Sequence, residues 1–454
     1  MAALNGMNST TPDPVPMTSI KSNSMDPSKL IIEEGPPLNI ESLQIVDSGE
    51  PPPKYEKDVD RGYALVVAFA GFLLHFCSWG FIFSWGVFQR QYASVNFASS
   101  SSLSFVGTTN ITMALIAGAP IGQLAAIIGH RRTILLGCVV YTLGLFLASF
   151  ATQLWHLILS VGVLCGLGCS LCFVPALSLV PQWFKKWRAL ATGFVAAGSG
   201  IGGFSWSLIN ARLIDALGPS WTFRIASFIC AGIFAFAVLI LRVRNPPGRV
   251  KIDFKLLLDP SMMVINIGGF FLAFGYFPPI FFMSQYAGSF GLDPSSAALI
   301  TGLFNIGSAI GRVVNGLGAD YVGCFNALAT TVTLSAVAIL AVMPNATAFG
   351  SLLGFSMFYG FASGGFQSLF PVVIVQKFGA VRASFLIGVV YTPWIFGQLL
   401  SSFIFGTIVE AHGGTTLTSA YLPGILFAGG AMAVAAAFMI TLRIMQSRQL
   451  LKPI

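Results

Sequence analysis

Residues 122–132 read Gly-Gln-Leu-Ala-Ala-Ile-Ile-Gly-His-Arg-Arg, and residues 316–323 read Gly-Leu-Gly-Ala-Asp-Tyr-Val-Gly. Gly122 and Gly316, Ala125 and Ala319, and Gly129 and Gly323 are each 194 positions apart. Phe184-x-x-x-Arg188-Ala189 returns at the same offset as Phe378-x-x-x-Arg382-Ala383. One offset at two unrelated places predicts that the chain is built from two copies of one structural half.

Around these turns the chain is almost entirely apolar. Of its 454 residues 55% are hydrophobic and 9% charged, whereas soluble chains carry about 25% charged residues. Mean hydropathy is +0.80. A soluble globular domain is excluded. A nucleic-acid binder is excluded too, because the Lys and Arg behind the net charge of +8 are scattered singly between apolar runs. The expectation is a polytopic membrane protein. Residues 1–60 differ: four lysines face ten acids there, a net −6, against +14 for the rest. They are rich in Pro, Ser and Asn without apolar period, so a disordered cytosolic tail is expected. The first long apolar run begins only after Arg61, and no signal peptide is visible.

At about 20 residues per crossing, apolar runs between punctuating charges predict spans near 62–88, 102–127, 133–151, 156–180, 189–210, 221–242, 261–285, 295–319, 325–343, 349–375, 383–408 and 419–442. The predicted fold is therefore an all-α membrane protein with twelve transmembrane helices in two six-helix pseudo-repeats. A bundle over 61–242, a cytosolic linker over 243–260, a second bundle over 261–445 and a cytosolic tail over 446–454 follow. With the tail in the cytosol, the inner loops carry twelve Lys and Arg and the outer loops only Arg90 and Arg212. Positive residues favour the cytosolic side, so both termini are expected there, in a multi-pass protein of the plasma membrane. The seven cysteines fall inside spans or at a cytosolic end and read as packing thiols, and no metal or cofactor is expected. No nucleophile with a base and an orienting partner can be assembled, which argues against an enzyme.

With the repeat in place, the chain resembles the major facilitator superfamily from about residue 58 onward. Gly316-x-x-Ala319-Asp320-x-x-Gly323 is similar to that family's turn between second and third helices; in the first half Ala126 stands where an acid is usual. Within the superfamily the likeness is to the monocarboxylate porters, in a fungal-like form. It is carried by Asp60-x-Gly62-Tyr63 at the first helix and by the run from Trp183 to Gly200 at the fifth. The resemblance implies two bundles rocking around a central site. It also implies a gate formed by the repeated turns, with Gly122, Gly129, Arg131, Arg132, Arg188, Gly316, Asp320, Gly323 and Arg382.

Arg312 stands eight residues before Asp320, about 12 Å inward at 1.5 Å per residue. A cation at that depth costs at least about 2.5 kcal/mol and normally faces a cavity or an anion. Thr301, Asn305, Ser308 and Arg312 lie within about 60° of one another at 100° per residue, one polar stripe. Arg312 either bonds carbonyls of a neighbouring helix or binds solute; in the porters an Arg in this helix binds the substrate carboxylate. Two departures stand beside that match, Ser308 where an acid is common and Phe83 where a Lys is common. The six acids beyond residue 60 all fall outside mid-membrane positions, which leaves His75 as the titratable group deep in the first half. Tyr276, Tyr359, Tyr391 and Trp394 are candidates to line a cavity for a planar or bulky organic anion.

Pro52-Pro53-Lys54-Tyr55 is a Pro-Pro-x-Tyr sequence in a polyproline run. It reads either as a stiff spacer or as a docking segment for a WW domain, resembling the site used by HECT-type ubiquitin ligases. The expected activity is secondary active transport of a small organic anion, monocarboxylate-like, by alternating access and with proton coupling by symport open. Efflux of a bulkier secondary metabolite, uptake of a neutral or vitamin-like solute, and a nutrient sensor that binds without translocating are the rivals.

Overall fold

The computed structural model describes residues 59–98, 100–244, 254–414 and 416–446. The tail through residue 58 with its Pro52, Pro53 and Tyr55 motif, linker residues 245–253 and the end of the chain from 447 lie outside them.

Twelve helical segments are present among the described residues, each on one expected span. The first joins Tyr63–Phe83 to Trp85–Ser94, and the second joins Ser100–Ile116 to Gly118–Ile128 across a 47° bend. The third is His130–Ala148 and the fourth Leu154–Gln182. The fifth and sixth share the run Arg188–Ile240, broken at Gly218 (φ 79°, ψ 169°) just before Pro219. Glycine tolerates that dihedral and proline cannot continue the ladder, so the chain reverses there. The second half holds the seventh to twelfth helices, Pro260–Ser289, Pro294–Val322, Cys324–Asn345, Phe349–Phe378, Ala380–Ala411 and Tyr421–Gln446.

The duplication is visible in the backbone. Gly129 (φ 95°, ψ 143°) and Gly323 (φ 94°, ψ 139°), related by the 194-residue offset, make the same turn after the second and the eighth helix. Asp259 caps the seventh helix, accepting from Ser261 N at 2.8 Å and Met262 N at 3.3 Å with Pro260 at the first position. Two hydrophobic cores result. One draws on residues from Ala64 to Leu241; the other is centred on Met262 to Leu442 and reaches into the first half at Ile121, Phe173, Leu177 and Ala189. The interface between the halves is thus packed.

The two stretches that carry the family likeness clasp each other. Asp60 accepts from the main-chain N–H groups of Lys185 (3.0 Å), Lys186 (3.1 Å) and Trp187 (3.2 Å). Tyr63 packs on Trp183 with centroids 6.0 Å apart and donates to the Ile240 carbonyl at 2.7 Å. Arg131, Arg132, Lys185, Lys186, Arg188, Arg242 and Arg244 gather on this side of the bundle, hereafter the basic face. The opposite face carries Arg224 in addition to Arg90 and Arg212. Its guanidinium covers Trp221 (4.8 Å) and Phe150 (5.0 Å). The charge asymmetry is one residue smaller than the loops alone suggested.

Candidate functional site between the two halves

The basic face is closed by close backbone contact between halves. Gly122 on the second helix lies on the Ser384 main chain of the eleventh, and its repeat mate Gly316 on the eighth lies on the Ala189 main chain of the fifth. Gly193 abuts the carbonyl of Arg312. Any side chain at these three positions collides with backbone, which explains small residues at a lipid-embedded helix interface.

Polar contacts reinforce the closure, differently on its two sides. Asp320 accepts from Ala189 N at 2.9 Å and Leu190 N at 2.8 Å. A carboxylate of the second half therefore meets the free N–H groups and positive end of a first-half helix. Arg188 points its Nε at the carbonyls of Pro181 and Phe184, both at 3.2 Å. On the pseudo-symmetric side, Ala126 offers no carboxylate. There Ser384 donates to Ser178 Oγ at 2.7 Å and contacts His130 Nε2 at 3.0 Å. Since the single hydroxyl proton of Ser384 goes to Ser178, the His130 Nε2–H is the donor to Ser384. The candidate gate residues Arg131, Arg132 and Arg382 are exposed on the basic face and take no part in these helix contacts.

Deeper in, Arg312 is buried, 3% exposed. Its Nη1 donates to the Ala196 carbonyl at 2.6 Å and also to Ser199 Oγ, both on the fifth helix. Its Nη2 donates to Gln367 Oε1 of the tenth helix, and the Gln367 amide donates on to the Tyr276 hydroxyl. Tyr359 donates to the Tyr276 carbonyl at 3.0 Å. Arg312 is therefore held by protein groups from both halves, with its Nε buried and unpartnered. In this conformation Arg312 bonds a main-chain carbonyl of a neighbouring helix.

The polar stripe divides. Ser308 packs against Gly360 and Gly364 of the tenth helix and its hydroxyl has no partner. Asn305 turns its amide back to the Thr301 carbonyl at 3.4 Å and presents its main chain to Gly200. His75 donates from Nδ1 to the Gly71 carbonyl at 3.0 Å and is within electrostatic reach of Arg312. Tyr391 and Trp394 adjoin each other at 5.2 Å, and Trp394 adjoins Phe366 at 6.1 Å, which in turn meets Tyr276 at 5.3 Å. The candidate aromatic residues thus come together around the Arg312 network. Trp85 is used inside the first half, donating to the Leu103 carbonyl at 3.1 Å.

Three participants escaped the sequence reading. Phe173 bridges His75 and Tyr391, Gln367 links Arg312 to Tyr276, and Ser199 binds Arg312 from the other half. A lone amide deep in the apolar tenth helix was the one signal available for Gln367.

The family model described as Major Facilitator Superfamily matches residues 67–262. The agnestins efflux protein AgnL12 of Paecilomyces divaricatus is 32% identical over 414 residues, covering 90% of this chain and 93% of that protein. The MFS transporter asaE of Aspergillus flavus is 30% identical, covering 84% and 87%. The aspyridones efflux protein apdF of Emericella nidulans is 28% identical, covering 92% and 84%. Among solved structures, FucP in its outward conformation has the same fold, with a TM-score of 0.67 at 14% identity over 84% of this chain and 99% of that one.

Proposed function

We propose, from the premise that the chain belongs to the major facilitator superfamily, that this membrane transporter exports a bulky aromatic organic metabolite. The observation that carries the reading is the ring cluster between the halves, with His75 and Trp79 on one side and Tyr276, Tyr391 and Trp394 on the other. A small aliphatic monocarboxylate has no use for so many rings, whereas a planar solute gains offset and edge contacts from them. Relatives whose names specify efflux support the direction. They favour export over uptake of a monocarboxylate, the reading that the family likeness first implied.

In this account the bundles over 61–242 and 261–445 rock about the centre, and the closed basic face is the cytosolic gate, in keeping with the charge bias of its loops. The plasma membrane is the proposed location, with both termini in the cytosol. Arg312 serves as a latch when the gate is closed and as the receptor for an acidic group of the solute when it opens. The planar guanidinium suits both tasks through parallel N–H donors. Pro52, Pro53 and Tyr55 are proposed to recruit a WW-domain ubiquitin ligase. The test is comparative: cells producing the protein and cells lacking it are given the same set of aromatic metabolites, and intracellular retention is measured. Export predicts lower retention in producing cells for part of the set and no difference for lactate or pyruvate. Equal retention throughout contradicts it.

A further inference from the structure

The aromatic cluster has one ring at its middle. Phe173, from the fourth helix, meets His75 at 5.5 Å and Trp79 at 5.3 Å, both on the first helix, and Tyr391 of the eleventh at 5.3 Å. The interplanar angles are 62°, 67° and 55°. A phenyl ring met edge-on by two rings of the first half and at a tilt by one of the second is what a bound aromatic solute would look like in the same place.

Two of the surrounding rings carry unused polar atoms. His75 is 2% exposed; its Nδ1 must be the donor to the Gly71 carbonyl, so in the neutral ring Nε2 is an acceptor, and it has no partner. The Nε1–H of Trp79 is likewise buried without a partner. Leaving a buried polar atom unpaired is costly. If the cluster served packing alone, Phe or Leu at these positions would pack without that cost. One acceptor and one donor beside a single phenyl ring describe a site for something a phenylalanine lacks.

Resting on the export reading, we propose that Phe173 is a placeholder for the solute's own ring and that the site selects a hydroxylated planar aromatic, a phenol. The phenol O–H donates to His75 Nε2, and its oxygen accepts from the indole N–H of Trp79. A carboxylate fails at His75, because two acceptors repel. A bare arene leaves both atoms unpaired. An acidic group elsewhere on the same solute goes to Arg312.

Titration calorimetry on the purified full-length protein tests this with 2-naphthol, its methyl ether 2-methoxynaphthalene, and 2-naphthoate. Wild type is expected to bind 2-naphthol about tenfold more tightly than the ether, one net hydrogen bond at about 1.4 kcal/mol per tenfold. His75→Phe should erase the preference while keeping affinity for the ether. Phe173→Ala should tighten binding of both, and Phe173→Leu, which keeps an apolar side chain but removes the ring, should move them in the same direction. Equal binding of naphthol and ether by wild type, or a preference that survives His75→Phe, overturns the phenol assignment while leaving aromatic export standing. Weaker binding in both Phe173 variants overturns the placeholder. Absence of binding by all three probes overturns the export reading together with this one.

Discussion

Arg312 of the eighth helix donates to the main-chain carbonyl of Ala196 on the fifth at 2.6 Å, so a cation of the second half is held by the backbone of the first. Together with Ser199 and Gln367, that carbonyl occupies the donors with which a solute anion would pair. Binding of an acidic solute and closure of the basic face therefore compete for one guanidinium. Arg312→Ala is expected to lose transport of acidic aromatics while still reaching the membrane, since it removes a costly buried charge. Arg312→Lys keeps the charge and loses the fork, which should weaken binding about tenfold or more at about 1.5–3 kcal/mol per charge-assisted bond. Transport assays normalised to surface amount distinguish these outcomes from misfolding.

Backbone contact at Gly193 and Gly122 makes a steric prediction. A methyl group at either position strikes the carbonyl of Arg312 or Ser384 across the interface. Gly193→Ala and Gly122→Ala should therefore insert normally yet fail to close the basic face, with transport reduced to background. Gly354→Ala, where nothing lies within 4 Å of the added carbon, should transport like wild type. Parallel flux measurements on the three variants decide it.

Asp320 caps the fifth helix from the other half through Ala189 N and Leu190 N. A carboxylate at a helix N-terminus contributes about 0.3–1 kcal/mol, rising to about 2 when partly buried. Asp320→Asn should hasten hydrogen exchange over residues 188–192 by a few-fold to about thirtyfold. Exchange in the tenth helix should stay unchanged. Mass spectrometry of the exchanged peptides reads both.

The His130, Ser384 and Ser178 chain stands in for the acid missing at Ala126. His130→Ala and Ser384→Ala should each lower thermal stability through a lost hydrogen bond of about 1 kcal/mol. The double variant should lose less than the sum of the two, because the His130–Ser384 bond is removed in both single variants. Either combined with Asp320→Asn should be additive, since that latch is on a different helix pair. Melting temperatures of the single and double variants check the cycle.

Much of this architecture was legible because it is periodic or repeated. The 194-residue offset foretold the matching turns at Gly129 and Gly323, and the apolar runs located all twelve helices. Arg312 was legible because a lone cation in an apolar helix has few uses. Its partners were not: Gln367 and Ser199 are neutral and small beside their surroundings, and pairing across halves depends on which faces meet. Phe173 was hidden for a related reason. It is one of 41 phenylalanines, and in a helix buried on nearly every side no hydrophobic period distinguishes a central ring from a packing one. The stripe from Thr301 to Arg312 was read as one face, yet Ser308 is claimed by the close approach of Gly360 and Gly364.

Export of an aromatic solute through the ring cluster is tested most directly by uptake into inside-out vesicles, where an exporter carries solute from the medium into the lumen. A fluorescent hydroxylated aromatic should accumulate in vesicles bearing the wild-type protein, and accumulation should fall at least tenfold with Tyr391→Ala or Trp394→Ala, variants quantified for insertion. Inert inside-out vesicles, alongside right-side-out vesicles that take up lactate or pyruvate through the same protein, would contradict the account.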